Sequence, residues 1–197
     1  MTLKRKKKLS QAAEVTQPPL HMLYVPRSLL RDTSTYFLPY CQAGVETACY
    51  WFGIETDTCQ VATTLVLPRL YQTVGNYYID TTSSRRLASE MVTQGLVNLA
   101  QVHTHPPRCS VAHSRYDDQH AYSTREGALS FVWPDYGYAA NQTLTGVGVH
   151  ERRGRRWTQL TEAQVLERIH LIESIADYRW EIVSGGIEEQ HDSRYDF

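Results

Sequence analysis

The sequence has 197 residues, a length that suits one domain able to bury its own core. Apolar residues make up 42% and charged residues 21%, the balance of an ordinary globular protein, and the formal net charge of -1 offers no global attraction for nucleic acid or an anionic membrane surface. No apolar run approaches the ~20 residues that span a bilayer.

The chain opens on a basic run, Lys4-Arg5-Lys6-Lys7-Lys8, followed by polar residues and Pro18-Pro19. Residues 1–19 therefore read as a flexible, solvated arm, with an arm for a polyanion or acidic partner as the alternative. Leu9 to Glu14 is too polar for a secretory segment, so a cytoplasmic protein is expected. Cys41, Cys49, Cys59 and Cys109 form no C-x-x-C pair and read as free thiols of a reducing compartment. Leu23-Tyr24-Val25 predicts a short strand, and Pro26 the first turn of a helix running to about Tyr40. Thr47–Ile54 and Val61–Leu67 predict neighbouring strands joined by a polar turn. Residues 69–82 read as an irregular connection. Ser84 is a candidate cap for a helix that stops near Gly95, and Leu96–Val102 a strand leading straight into His103. A helix is expected from Ser114 to about Arg125, then strands at Leu129–Trp133 and Thr143–His150, with Trp157–Leu160 pairing back across Arg153-Gly154. Thr161 begins the last helix, on the helical spacing of Val165, Leu166, Ile169 and Ile172. The domain is taken as residues 20–183, followed by a polar tail at 184–197. Intermixed strands and helices predict an α/β fold around a central sheet.

The chemistry concentrates in "HTHPPRCSVAHSRYDD", His103 to Asp118. On a strand, residues two apart face the same side, so His103 and His105 can reach one metal ion. Ser114-x-x-Asp117 is also a plain N-cap with an acid at the third helical position. Two imidazoles at a strand end and a carboxylate at a helix start together make three N/O ligands. Three ligands with one position left for water distinguish a catalytic zinc from a closed structural one.

His103-Thr104-His105-Pro106 and Ser114-Arg115-Tyr116-Asp117 resemble the H-x-H-P…S-x-x-D signature of the JAMM (JAB/MPN+) metalloproteases. That family also places a glutamate upstream, entering a strand that closes on a glycine seven residues later; Glu46 and Gly53 in "ETACYWFG" match. "ALSFVWPDYG", Ala128–Gly137, resembles the strand and Pro-x-x-Gly turn of prokaryotic members. The likeness covers about residues 22–160. One departure stands: the family usually has ten residues between the second histidine and the aspartate, which here leads to Tyr116, whereas Asp117 needs eleven. One loop residue is read as inserted, with Asp118 as the substitute ligand.

The resemblance implies a single JAB/MPN domain with a mixed, curved sheet flanked by helices. It implies Zn²⁺ on His103, His105 and Asp117, Glu46 as general base and then acid, and Ser114 as donor to the oxyanion. It further implies cleavage at the C-terminus of a ubiquitin-like protein, from a conjugate or a precursor, beside activating and conjugating enzymes of an antiphage operon. Glu55 and Glu90 compete for the base but open no matching strand. A cysteine hydrolase on Cys109 has no motif, and a zinc deaminase would need P-C-x-x-C. An inactive MPN scaffold that only binds partners would lose ligands or the glutamate, and this chain keeps them.

Overall fold

The computed structural model describes residues 21–138 and 143–174. The predicted arm at 1–19 and tail at 184–197 lie outside them. The frame is an eight-stranded mixed sheet in the order β10-β1-β3-β2-β6-β7-β8-β9, with a separate two-stranded hairpin, β4-β5. The strands are β1 (Met22–Pro26), β2 (Ala48–Glu55), β3 (Cys59–Val66), β4 (Leu70–Thr73), β5 (Asn76–Ile79), β6 (Val97–Thr104), β7 (Leu129–Trp133), β8 (Gly148–Arg153), β9 (Arg156–Gln159) and β10 (Ile169–Ile172). The helices are α1 (Arg27–Ala43), α2 (Thr81–Thr93), α3 (Arg115–Gln119) and α4 (Glu162–Arg168). The expected α/β fold with a curved mixed sheet is the one found.

Sequence and position agree best in the middle of the sheet. β2 is apolar and aromatic because Ala48 to Gly53 is buried on both faces, between β3 and β6. Trp51 packs its ring 4.7 Å from Phe131 and donates its indole N–H to Thr33 of α1 at 3.0 Å. α1 lays Leu29, Leu30, Thr33 and Phe37 on the sheet, and Phe37 meets Trp133 edge-on. Its end is set by Gly44 at φ 66, whose N–H bonds back to Tyr40 and Cys41. Gly53 sits where the β2–β3 register shifts, and a Cβ there would fall 1.9 Å from the Val61 carbonyl oxygen.

Four expectations change. Residues 69–82 are the β4-β5 hairpin followed by the start of α2, which Asp80 rather than Ser84 caps by accepting from the Ser83 N–H. The helix expected from Ser114 stops at Gln119, because Tyr122 is drawn across β6: its N–H donates to Gln101 and its hydroxyl to the Leu99 carbonyl. β8 begins at Gly148, after a turn at Gly146. The last helix ends at Arg168, whose buried guanidinium binds Glu151 at 3.0 Å and Gln60 at 3.2 Å. Ile169–Ile172 then runs extended beside β1, so its apolar spacing serves a parallel strand. All four cysteines are free. No helix among the described residues is long and apolar enough to cross a membrane.

Candidate metal centre

β6 carries His103 at its C-terminal end, between Ala48 of β2 and Val132 of β7. His105 follows on the same side, its N–H donating to the Trp133 carbonyl and its carbonyl accepting from the Tyr136 N–H, both at 2.8 Å. The ring of His105 donates from Nδ1 to the Ser110 carbonyl at 2.6 Å, which turns Nε2 inwards. Nε2 lies 3.3 Å from Oδ2 of Asp117, and Nε2 of His103 lies 3.4 Å from Oδ1. All three residues are buried, and their ligand atoms fall within 4.8 Å of one another.

A metal fits this set. The ring of His103 is enclosed, yet neither nitrogen has a hydrogen-bond partner. Buried polar atoms rarely stay unpaired, and a cation is the partner that two facing imidazole lone pairs and a carboxylate would share. Ligands ~2.0–2.1 Å from a tetrahedral zinc stand about 3.4 Å apart, close to the spacing seen. Without a cation the site carries competing demands. Burial lowers the pKa of His103 against the pull of Asp117. In His105 burial also acts to lower it, but Asp117, the Ser110 carbonyl and Glu46 prevail and raise it. Burial would lift the Asp117 carboxyl; the two histidines and the Ser114 N–H hold it far below the usual range.

Helix α3 settles which aspartate joins the histidines. Ser114 and Asp117 form a capping box: the Asp117 N–H donates to the Ser114 hydroxyl at 3.2 Å, and Oδ2 accepts from the Ser114 N–H at 2.6 Å. Asp117 is thereby turned into the site, while its own N–H engages the serine oxygen. Asp118 faces away, half exposed, with Oδ1 3.1 Å from Nδ1 of His113. The other ring nitrogen of His113 is 3.0 Å from the Ser130 hydroxyl, and its backbone N–H donates to Nε2 of His150. His113 thus lines the cleft and clamps the loop to β7 and β8.

Glu46 lies on the link from α1 to β2, its N–H donating to the Thr73 carbonyl of β4 at 2.9 Å. Thr47 and Thr104 exchange two hydrogen bonds of 3.0 Å, which bring this link against the end of β6. Burial, reinforced by Asp117 and opposed by His105, pushes the Glu46 carboxyl up to about 7. Glu46, His105, Asp117, Ser114 and Cys109 line one cleft of about 410 Å³, walled by Gly75 and Asn76 from the hairpin tip. Glu55 is at the opposite end of β2, bound to Gln60 and Arg125. His120 is exposed and stacks on Tyr116.

No family model matches the sequence. The probable metalloprotease y4jG of Sinorhizobium fredii is 30% identical over 116 residues, 57% of this chain and 70% of that protein. A protein of Desulfitobacterium hafniense, known from a solution structure, has the same fold at a TM-score of 0.56 and 14% identity, over 78% of this chain and 95% of that one. A JAB1/MPN domain protein from Archaeoglobus fulgidus aligns at a TM-score of 0.43 and 16% identity, over 77% and 98% of the two chains. The mixed sheet with its flanking helices is the fold shared with the Desulfitobacterium protein. The chain belongs to the same metalloprotease family as that Sinorhizobium protein.

Proposed function

We propose that the protein is a zinc-dependent hydrolase of the amide bond that follows the C-terminal glycine of a ubiquitin-like protein, freeing it from a conjugate or a precursor. The observation that carries the reading is the convergence of His103, His105 and Asp117 beside a buried carboxyl whose pKa is about 7. The three residues would hold the metal, which when bound supplies an acidified water and a Lewis acid for the scissile carbonyl. Glu46 takes the proton of the attacking water and passes it to the leaving amine. The Ser114 hydroxyl donates to the oxygen of the carbonyl as it becomes negative.

For the substrate, the support is the family resemblance of the motifs together with the hairpin beside the cleft. An extended tail can bond to a strand edge through its backbone, and Gly75 and Asn76 of the hairpin line the cleft such a tail would enter. By the same resemblance the protein would act in the cytoplasm beside activating and conjugating enzymes of an antiphage operon. The test is mass spectrometry of fusions that place a reporter after the tail of a ubiquitin-like partner, with and without chelator. A single cut after the terminal glycine that chelation abolishes supports the reading. Equal cleavage of unrelated sequences, or activity indifferent to chelation, refutes it.

A further inference from the structure

The turn after β7 has an unusual backbone. Asp135, Tyr136 and Gly137 lie in succession at φ 51, 55 and 81, the left-handed region that only glycine enters freely. Gly137 has a second reason to be glycine, since a Cβ would meet the Phe37 ring at 2.6 Å. Tyr136 has no such excuse, for glycine or asparagine would take its conformation at less strain. A bulky residue persists there only if its side chain is needed and its surroundings hold it.

Its surroundings do hold it. The Tyr136 N–H donates to the carbonyl of His105, and its hydroxyl donates to the carbonyl of Val74 at the tip of the β4-β5 hairpin, each at 2.8 Å. One residue thus ties a histidine of the candidate metal centre to the strip of hairpin that walls the cleft. Two further tethers, Thr73 to Glu46 and Gln72 to Thr47, reach the link that carries the glutamate. Beyond Thr73 the hairpin is held again at Tyr77, whose hydroxyl accepts from Gln101 Nε2 at 2.6 Å, and among the described residues Val74 between these anchors is held from outside the hairpin by the Tyr136 hydroxyl.

We propose that Tyr136 is a positioning residue, a latch that sets the hairpin tip at Gly75-Asn76 against the metal centre and so fixes the width of the passage for substrate. The assignment of that passage to substrate rests on the function proposed above; the latch itself does not. Tyr136→Phe keeps the ring and the backbone bond and removes only the hydroxyl. Hydrogen exchange of the metal-loaded protein should then quicken in residues 72–77 by about five- to tenfold, the worth of one neutral hydrogen bond, and stay unchanged in β6. Metal content and melting should hold. With an aminocoumarin amide on the C-terminus of a ubiquitin-like protein, KM should rise about as much while kcat stays within about twofold. Unchanged exchange in the hairpin overturns the latch, and so does a fall in melting that loosens the whole fold. Faster exchange with unchanged KM overturns its role in seating substrate. If the wild-type protein leaves the amide uncut, the proposed reaction fails while the exchange result still decides the latch.

Discussion

Burial pushes the Glu46 carboxyl up to about 7 in the metal-free site, through loss of water rather than through a proton shared with a partner. Glu46→Gln keeps its shape and removes its basicity. Turnover should fall on the order of 10²–10⁴, with zinc content by elemental analysis unchanged. Near-normal turnover would move the base to another residue. The adjacent aspartates make a sharper comparison. Asp117 points at both histidines, and Asp118 binds His113 with half its surface in water. Asp117→Ala should lose both metal and activity, and Asp118→Ala should retain metal and most activity; the reverse pattern would show that the inserted loop residue shifts the register once more. These identities were legible in sequence because the chemistry is local. His-x-His needs only a strand end, and Ser-x-x-Asp only a first helical turn. What sequence left hidden at this scale is Tyr136, whose role depends on a contact with Val74, 62 residues away.

Elements were legible where one face or both were buried, and obscure where packing overrode local pattern. β2 and β7 stood out as apolar runs because both their faces are buried, those of β2 under α1 and α2. The β4-β5 hairpin was missed because each strand has four residues, too few for alternation to show against an exposed Tyr71 and Tyr78. Ile169–Ile172 kept a helical spacing and became a strand because Arg168 is anchored by Glu151 and β1 offers an open edge. The loop from Pro106 to His113 has no periodicity at all, and its placement comes from β8. Val111 lies so close to Gly148 that a Cβ there would stand 2.1 Å from the Val111 carbonyl oxygen. Gly148→Ala must therefore push the loop outward, moving His113 and the Ser114 cap behind it. Overpacking of this kind costs about 1–3 kcal/mol. Urea unfolding should show that loss, and calorimetric titration should show weaker zinc binding. Unaltered zinc affinity would mean that α3 is placed independently of the loop.

At the scale of the whole molecule, the fold encloses two histidines that it does not charge. His113 and His150 stack 4.0 Å apart between centroids, and both are almost fully buried. Nε2 of His150 must stay unprotonated to accept the His113 N–H. Loss of water, then the neighbouring histidines, bring each pKa down to about 3, with Asp117 opposing in both cases and Asp118 also opposing at His150. The unfolded chain returns both to ~6.5. Between those values the unfolded state binds more protons than the folded one, so stability must rise with pH there. The contribution is complete above about pH 6.5 and is lost progressively as the pH falls towards 3. The pair should add about two protons to uptake on unfolding at pH 5, a slope near 2.7 kcal/mol per pH unit on top of that from carboxylates. His150→Gln keeps an acceptor for the His113 N–H and removes one of the two titrations. Urea unfolding of the metal-free proteins between pH 7 and 5 should therefore give a mean slope shallower in the variant by about 1 kcal/mol per pH unit. Equal slopes would mean that His150 takes up its proton in the folded protein, and that the neutral histidine stack against β7 and β8 is not what resists acid.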